Sequence, residues 1–452
     1  MRYARRVARP MLLAGLLPVT LVWHDGENSA YAPKAPQRPA AGILAAAVGP
    51  LETVAAEIDA SNVAGWWTPL DEYQGRTYCV FNAPGPTAAD HQVRIGQRKA
   101  AGPWTSACLP ASPACATYVD DLGHNQPSMA VDGDGYLHAF VSMHNNGWRY
   151  YRSATPGDIT TMQNQSAEMP DPRDTYTYPV LTRTPSGDLY LLIRARINDG
   201  DGQGRLYRWN NAANAWTRVG VFARDAGYAV YPDDVKADAA GNLHIIYEWS
   251  KAPSGIIRHR AAYLRYHLAT GKAYKADGRP LTLPVSIAAS DEYQSFEGAE
   301  TWTSDPDLTS PGVQSARLAL VPNSNNLSVA YRYRTTHGGP YTVRRAYWNG
   351  RAWSRTTVYA GGDTNAAMGT THDGRMVRIY YSKKGTFSTA TVAESVGTAP
   401  FAETPLAAGK SIERLAVKMR PDGTDAVYLV APTEVSPTTG KLYFQTVSRP
   451  AR

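Results

Sequence analysis

Only three cysteines, Cys79, Cys108 and Cys115, occur among 452 residues, and none forms a Cys-x-x-Cys pair, which excludes a zinc ribbon or a dithiol redox motif. Charged residues make up just 19% of the chain, and runs of Ala, Leu, Glu and Lys are missing beyond the N-terminus, so a helical bundle or coiled coil is excluded. After residue 23 no apolar run is long enough to cross a bilayer as a helix. The excess of positive charge is small. The formal charge is +7, and Arg2, Arg5, Arg6 and Arg9 against Asp25 and Glu27 account for +2 of it, leaving +5 on the remainder. That suits an anionic partner but carries no continuous basic stripe of the kind nucleic acid needs.

What the chain does contain is turn and ring chemistry: 38 Gly, 32 Pro, 28 Tyr and 11 Trp. This composition predicts many short strands joined by tight turns. At the N-terminus the four arginines precede the 13 apolar residues Met11 to Trp23, and Ala30-Tyr31-Ala32 offers small residues for cleavage. Residues 1–32 therefore read as a signal peptide, which places the mature protein outside the cell with no membrane contact after its removal. Residues 33–60 are Ala/Pro-rich and read as a linker, leaving 61–452 as one domain. In an exported chain Cys108 and Cys115 close a small loop, or Cys79 pairs with Cys108; all three are read as structural.

Turn signals recur along the chain with Gly75, Gly135, Gly187, Gly241, Asn325, Gly374 and Gly423 as markers, at steps of 60, 52, 54, 84, 49 and 49 residues. Each is followed by an alternating strand such as Leu189 to Arg194 or Leu243 to Trp249. Seven similar units of about 50 residues, one enlarged, predict an all-β, seven-bladed β-propeller, because a lone unit cannot bury both faces of its sheet whereas a ring of them can.

The chemistry gathers on both sides of those turns. His124, Tyr178 and Tyr231 stand 11, 9 and 10 residues before their marker glycines, which puts them at one end of the central funnel. The strands leaving the turns return to that end and finish in His144, Arg194, Arg196, Glu248-Trp249, Arg332 and Arg334. Taken singly, a histidine on a strand or an arginine at its end is most often structural. Together they match the needs of elimination beside a uronic acid: a guanidinium to neutralise the carboxylate, a base for the C5 proton, and an acid for the departing oxygen. Two rival readings use the same groups. One is a sialidase-like glycoside hydrolase, disfavoured by the lack of a Ser-x-Asp-x-Gly-x-x-Trp box and of an acid pair; the other is a propeller that only binds acidic glycan.

The run His124-Asn125-Gln126-Pro127-Ser128-Met129-Ala130-Val131-Asp132-Gly133-Asp134-Gly135-Tyr136, then Ser142-Met143-His144-Asn145, Tyr178-Pro179, Arg194 and Tyr231-Pro232, resembles the BNR-repeat propeller polysaccharide lyases, notably the ulvan lyases. The likeness is strong over residues 118–270 and holds in outline later. It implies cleavage between rhamnose and glucuronic or iduronic acid in an acidic polysaccharide, leaving an unsaturated uronate. Ulvan and other glycans with rhamnosyl-glucuronate ends are equally compatible. By motif, His124, His144, Tyr178 and Arg194 match the family's catalytic residues, with His124 as proton acceptor, Tyr178 as proton donor, His144 as supporting or alternative base and Arg194 on the carboxylate. The acid and base roles interchange with the face on which the hydrogen lies. Tyr231, Arg196, Glu248, Trp249, Arg332 and Arg334 are the expected substrate contacts. Some members hold a structural zinc or calcium, for which His244 and His259 are the candidates; no cofactor is expected in catalysis, and the protein is expected to act as a monomer.

Overall fold

The structure is a computed structural model that describes residues 45–449 except 64, 88, 101, 111–113, 120–124, 199–200, 252–257 and 298–309. The signal peptide expected over 1–32 lies outside the described residues. Among those described there is no α-helix, only strands and four short 3-10 turns, so the chain is all-β.

The strands form successive antiparallel meanders. The first comprises Leu70–Tyr73, Arg76–Pro84, His91–Lys99 and Thr105–Cys108, and the second Ser128–Val131, Leu137–Phe140, Tyr150–Ser153 and Met162–Asn164. The third runs through Thr175–Arg183, Leu189–Asn198, Asp201–Asn210 and Ala215–Ala223, and the fourth through Tyr228–Ala237, Asn242–Lys251, Arg258–His267 and Lys272–Tyr274. Next come Gly312–Leu320, Leu327–Arg334, Thr342–Trp348 and Trp353–Tyr359, then Thr364–His372, Met376–Lys383, Thr389–Val396 and Ala402–Pro405. The last meander, Arg414–Met419, Asp425–Ser436 and Thr439–Ser448, is completed from the other end of the chain by Glu52–Asp59, which pairs with Thr439–Ser448. The stretch expected to be a linker over 33–60 is therefore in part a strand of the folded body. Its Val54, Ala55 and Ile58 have an apolar partner surface, which outweighs the Ala-rich composition.

The first strand of each meander lies beside the first strand of the next, and Leu70–Tyr73 lies beside Arg414–Met419 as well. Residues from all of these strands line one narrow central cavity of about 50 Å³. The apolar faces meet between consecutive sheets. Val180, Leu192 and Leu206 of the third meander pack on Val235, Leu243 and Ile245 of the fourth, and Leu70 and Phe81 of the first on Tyr428 and Val430 of the last. Alternating strands with two buried faces thus share cores with both neighbours.

All six of the expected marker glycines adopt positive φ. Gly187, at φ +94°, shows a second reason for glycine. An added Cβ there would meet Gly133 Cα of the preceding meander at 2.7 Å, and the Gly133 amide donates to the Gly187 carbonyl at 2.9 Å. In the fifth turn the left-handed residue is Asn323, at φ +56°, two positions before the expected marker. Cys108 and Cys115 form the disulfide, and Cys79 is a buried free thiol, so the first of the two pairings expected is the one present.

Candidate active site

One end of the strands gathers the expected site residues, because each first strand begins there and each second strand ends there. In the third meander Thr177 pairs with Arg194, and in the fourth Tyr231 pairs with Glu248. Between Thr177 and Val180 the register shifts, and Tyr178 sits in the bulge at φ +63°. A left-handed tyrosine before a proline costs on the order of 1–3 kcal/mol, and such strain collects where a side chain must be re-aimed. The fourth meander repeats the device, with a register shift just after Tyr231, between Pro232 and Asp234.

The bulge turns the Tyr178 ring into an aromatic cluster with Trp66, Trp67 and Tyr231. Ring centroids lie 5.4 Å from Trp66, 5.1 Å from Trp67 and 5.2 Å from Tyr231. The Arg194 guanidinium carbon stands 4.6 Å from the Tyr178 ring centre and 4.7 Å from that of Tyr231, so one cation serves both phenol rings. Arg194 itself is half-buried and keeps contact with solvent. Its stem passes over Gly202 on the adjacent strand, where an added Cβ would come within 2.9 Å of Cδ.

His144 arrives from the second meander. Its ring centre is 6.4 Å from that of Tyr178, and its strand is tied to the third by the His144 and Thr177 pairing. The turn before it is held locally: the Asn145 amide donates to Thr177 Oγ1 at 2.9 Å, and the His144 amide to Asn146 Oδ1 at 2.8 Å. His124 lies outside the described residues. Its neighbour Asn125 is buried, with its carbonyl accepting from Asn82 Nδ2 at 3.0 Å.

Three of the four expected catalytic residues therefore meet with Tyr231, while the remaining expected contacts divide. Arg196 is exposed on the rim, two residues beyond Arg194. Arg332 is buried in the fifth meander, where it donates to the Thr364 carbonyl and to Gln314 Oε1, and burial lowers its pKa to about 10. Arg332 and Arg334 lie 4.2 and 4.1 Å from the Tyr341 ring centre. With Asp363 and Lys384 they line a cavity of about 340 Å³ on the same end of the strands.

Two expected contacts are corrected. Trp249 is fully buried in the core between the third and fourth meanders, its Nε1 donating to Ser290 Oγ at 2.8 Å, so no face is open to a sugar. Glu248 is also fully buried, in the electrostatic field of Arg332 and Tyr293 rather than in the open cleft. For a structural metal the fit is poor. His244 has Nδ1 bonded to Tyr263 Oη at 2.8 Å and Nε2 to Asp238 at 3.0 Å, which uses both ring nitrogens, and the His259 side chain lies outside the described residues. Among the described residues no group of three His, Cys, Asp or Glu is placed to hold a metal.

Trp66 and Trp67 are the site residues that sequence reasoning missed. They precede the first strand, and their backbone is clamped from later meanders: Arg317 donates to the Gly65 and Trp67 carbonyls and Arg414 to the Trp67 carbonyl. The available signal was the tandem itself, two adjacent tryptophans just before a Thr-Pro strand start. Indoles at successive positions cannot both enter one sheet face.

A family model described as "BNR repeat-containing family member" matches residues 66–360. A protein of Pseudoalteromonas sp. (strain PLSV) named "Ulvan Lyase-PL25" is 22% identical over 261 residues, 51% of either chain. An "Ulvan lyase" of Alteromonas sp. (strain LOR) is 23% identical over 264 residues, again 51% of either chain. The chain thus spans about half the length of the curated relatives it matches. A solved PL25 ulvan lyase bound to -[GlcA(1-4)Rha3S]- superposes with a TM-score of 0.66 over 86% of this chain and 94% of that one, at 16% identity, which is a likeness of fold.

Proposed function

The chain belongs to the BNR repeat-containing family, and from that premise we propose that it is a polysaccharide lyase that cleaves a rhamnose–uronate linkage of an acidic polysaccharide such as ulvan by β-elimination. The observation that carries this reading is the Arg194 guanidinium set against both Tyr178 and Tyr231, with His144 beside the same phenol. The architecture fits a seven-bladed β-propeller, supported by the neighbouring first strands and by the chain ends meeting in the last sheet. The names of the two relatives point to the same chemistry.

In this mechanism the uronate carboxylate pairs with Arg194, which stabilises the negative charge that builds on it as C5 loses its proton. The C5–H electron pair forms the C4=C5 double bond, the C4–O bond breaks, and the departing oxygen takes a proton. His124 and His144 serve on the proton-accepting side and Tyr178 as donor. The Arg194 guanidinium stands over the Tyr178 ring, 4.6 Å from its centre. The two indoles and the phenols pack on one another and are buried, while Arg194 and His144 beside them are half-exposed. Arg196, Arg332 and Arg334 supply further positive charge along the same end for the rest of the polymer. Residues 1–32 direct export, which brings the enzyme to its extracellular substrate as a monomer.

The test is the ultraviolet absorbance of the new double bond when the protein is incubated with ulvan and with a panel of other uronate polysaccharides. Formation of unsaturated ends that is abolished in Arg194→Ala supports the reading. Binding of the polymers without any such product, or release of saturated reducing ends, refutes it.

A further inference from the structure

The central cavity carries an unbalanced charge that the proposed reaction does not use. Its walls bring together Arg183, Lys236, Arg317 and Lys418 with only two carboxylates, Asp71 and Asp234. Both carboxylates are already engaged. Asp71 Oδ1 accepts from Lys418 at 2.8 Å, while Oδ2 accepts from the Val131 amide at 2.9 Å and from Arg183 at 3.4 Å. Asp234 Oδ1 accepts from the Val235 amide and from Lys236, at 2.9 and 3.0 Å, and Oδ2 from the Leu318 amide at 3.0 Å. Among the residues lining this narrow part, four cations therefore face two anions.

The lysines are where that excess is open. An ammonium has three N–H donors, and one partner each is seen here, Asp234 for Lys236 and Asp71 for Lys418. The Lys236 side chain is 37% exposed and that of Lys418 35%. Burial, together with the positive charges of Lys418 and Arg317, lowers the Lys236 pKa, with Asp234 opposing. Toward the turn end of the strands the passage widens into a second cavity of about 260 Å³ that shares Arg183, Lys236 and Lys418 with the first. His372 lines this wider part and is neutral near pH 7, its pKa being depressed to about 4 by burial and by Arg345. At the opposite end Trp67, Thr68 and Pro69 line the narrow part, so entry from the turn end does not pass through the substrate cleft.

We propose that this widened end of the central cavity is a binding site for one small oxyanion, inorganic phosphate or sulfate, held between Lys236 and Lys418 with Arg183 beside them. The ligand class follows from the donors. Ammoniums with free N–H groups match a tetrahedral oxyanion that accepts from several directions, the Arg183 guanidinium, which donates to the Val131 and Glu72 carbonyls, adds positive charge beside them, and the cavity exceeds the needs of a halide. Its effect is on stability: the anion cancels like-charge repulsion that the strands otherwise carry.

The experiment uses the full chain and inorganic phosphate, sulfate and chloride at constant ionic strength. Titration calorimetry is expected to show saturable 1:1 binding of phosphate or sulfate. At about a hundred times the dissociation constant the Tm is expected to rise by roughly 3 °C. In Lys236→Gln and Lys418→Gln the saturable part is expected to fall at least tenfold in affinity, leaving only the unsaturable salting effect that sulfate and phosphate exert on any protein. Lys418→Arg, which keeps the charge, retains binding. Absence of saturable binding to the unaltered protein overturns the proposal even if the variants fail to fold. So does an identical anion response in both glutamine variants, or a chloride response equal to that of the oxyanions.

Discussion

Replacing Gly202 by alanine tests whether the position of Arg194 matters and not merely its presence. The new Cβ would stand 2.9 Å from Arg194 Cδ and 3.1 Å from Cγ, against an optimum of roughly 3.5–4.0 Å for carbon pairs. Gly202 lies in the strand Asp201–Asn210, whose backbone is held by the ladder to Leu189–Asn198, so the arginine stem has to yield by roughly 0.5–1 Å. That movement takes the guanidinium out of its place between Tyr178 and Tyr231. A misplacement of about 1 Å in a group that positions substrate lowers turnover on the order of a hundredfold. Gly202 has no need of a left-handed backbone, so the cost to stability is that of the crowding alone, about 1–3 kcal/mol. Steady-state rates of double-bond formation on ulvan, with Tm measured in parallel, give the comparison. Full activity in a normally folded Gly202→Ala variant would show that Arg194 does not act where the structure holds it.

Arg194→Lys keeps the charge but loses the fork, and kcat/KM is expected to fall about 10- to 100-fold, the equivalent of one charge-assisted hydrogen bond worth about 1.5–3 kcal/mol. Tyr178→Phe preserves the ring contacts and should leave Tm within a few degrees while removing turnover; Tyr178→Ala should also cost about 3–5 kcal/mol of stability by denaturant titration. Equal activity of Tyr178→Phe and the unaltered protein would remove the phenol from the mechanism. For pH, His372 has its pKa lowered from 6.5 to about 4, so the unfolded chain binds the extra proton first. Its contribution to stability is present above pH 6.5 and is lost as the pH falls toward 4, and His372→Gln should flatten that part of the Tm profile. Trp249→Phe should lower Tm through lost core packing with polymer affinity unchanged; a selective loss of affinity would return Trp249 to the substrate cleft.

The site was legible to the extent that chain direction alone places side chains. Tyr178 and Arg194 lie on either side of one tight turn, so an antiparallel hairpin must bring them to the same end whatever surrounds it. The same logic found Tyr231 with Glu248 and stopped there, since pairing says which end a residue reaches but not whether it faces solvent. Glu248 and Trp249 are neighbours on an alternating strand, yet both are buried, because one faces the charges of the next meander and the other the core between sheets. Gly202 gave no signal, for its role exists only when the Arg194 stem crosses it.

Composition and turn spacing by themselves determined that the chain is all-β, where its hairpins turn, and which polar rows share an end, since these follow from backbone geometry over short separations. The tertiary structure alone decided that Trp66 and Trp67 pack on Tyr178 and Tyr231, that Glu52–Asp59 joins the last sheet, and that four cations line the central cavity. Those contacts link residues tens to hundreds of positions apart. Their cause is the burial of surfaces that no single repeat contains.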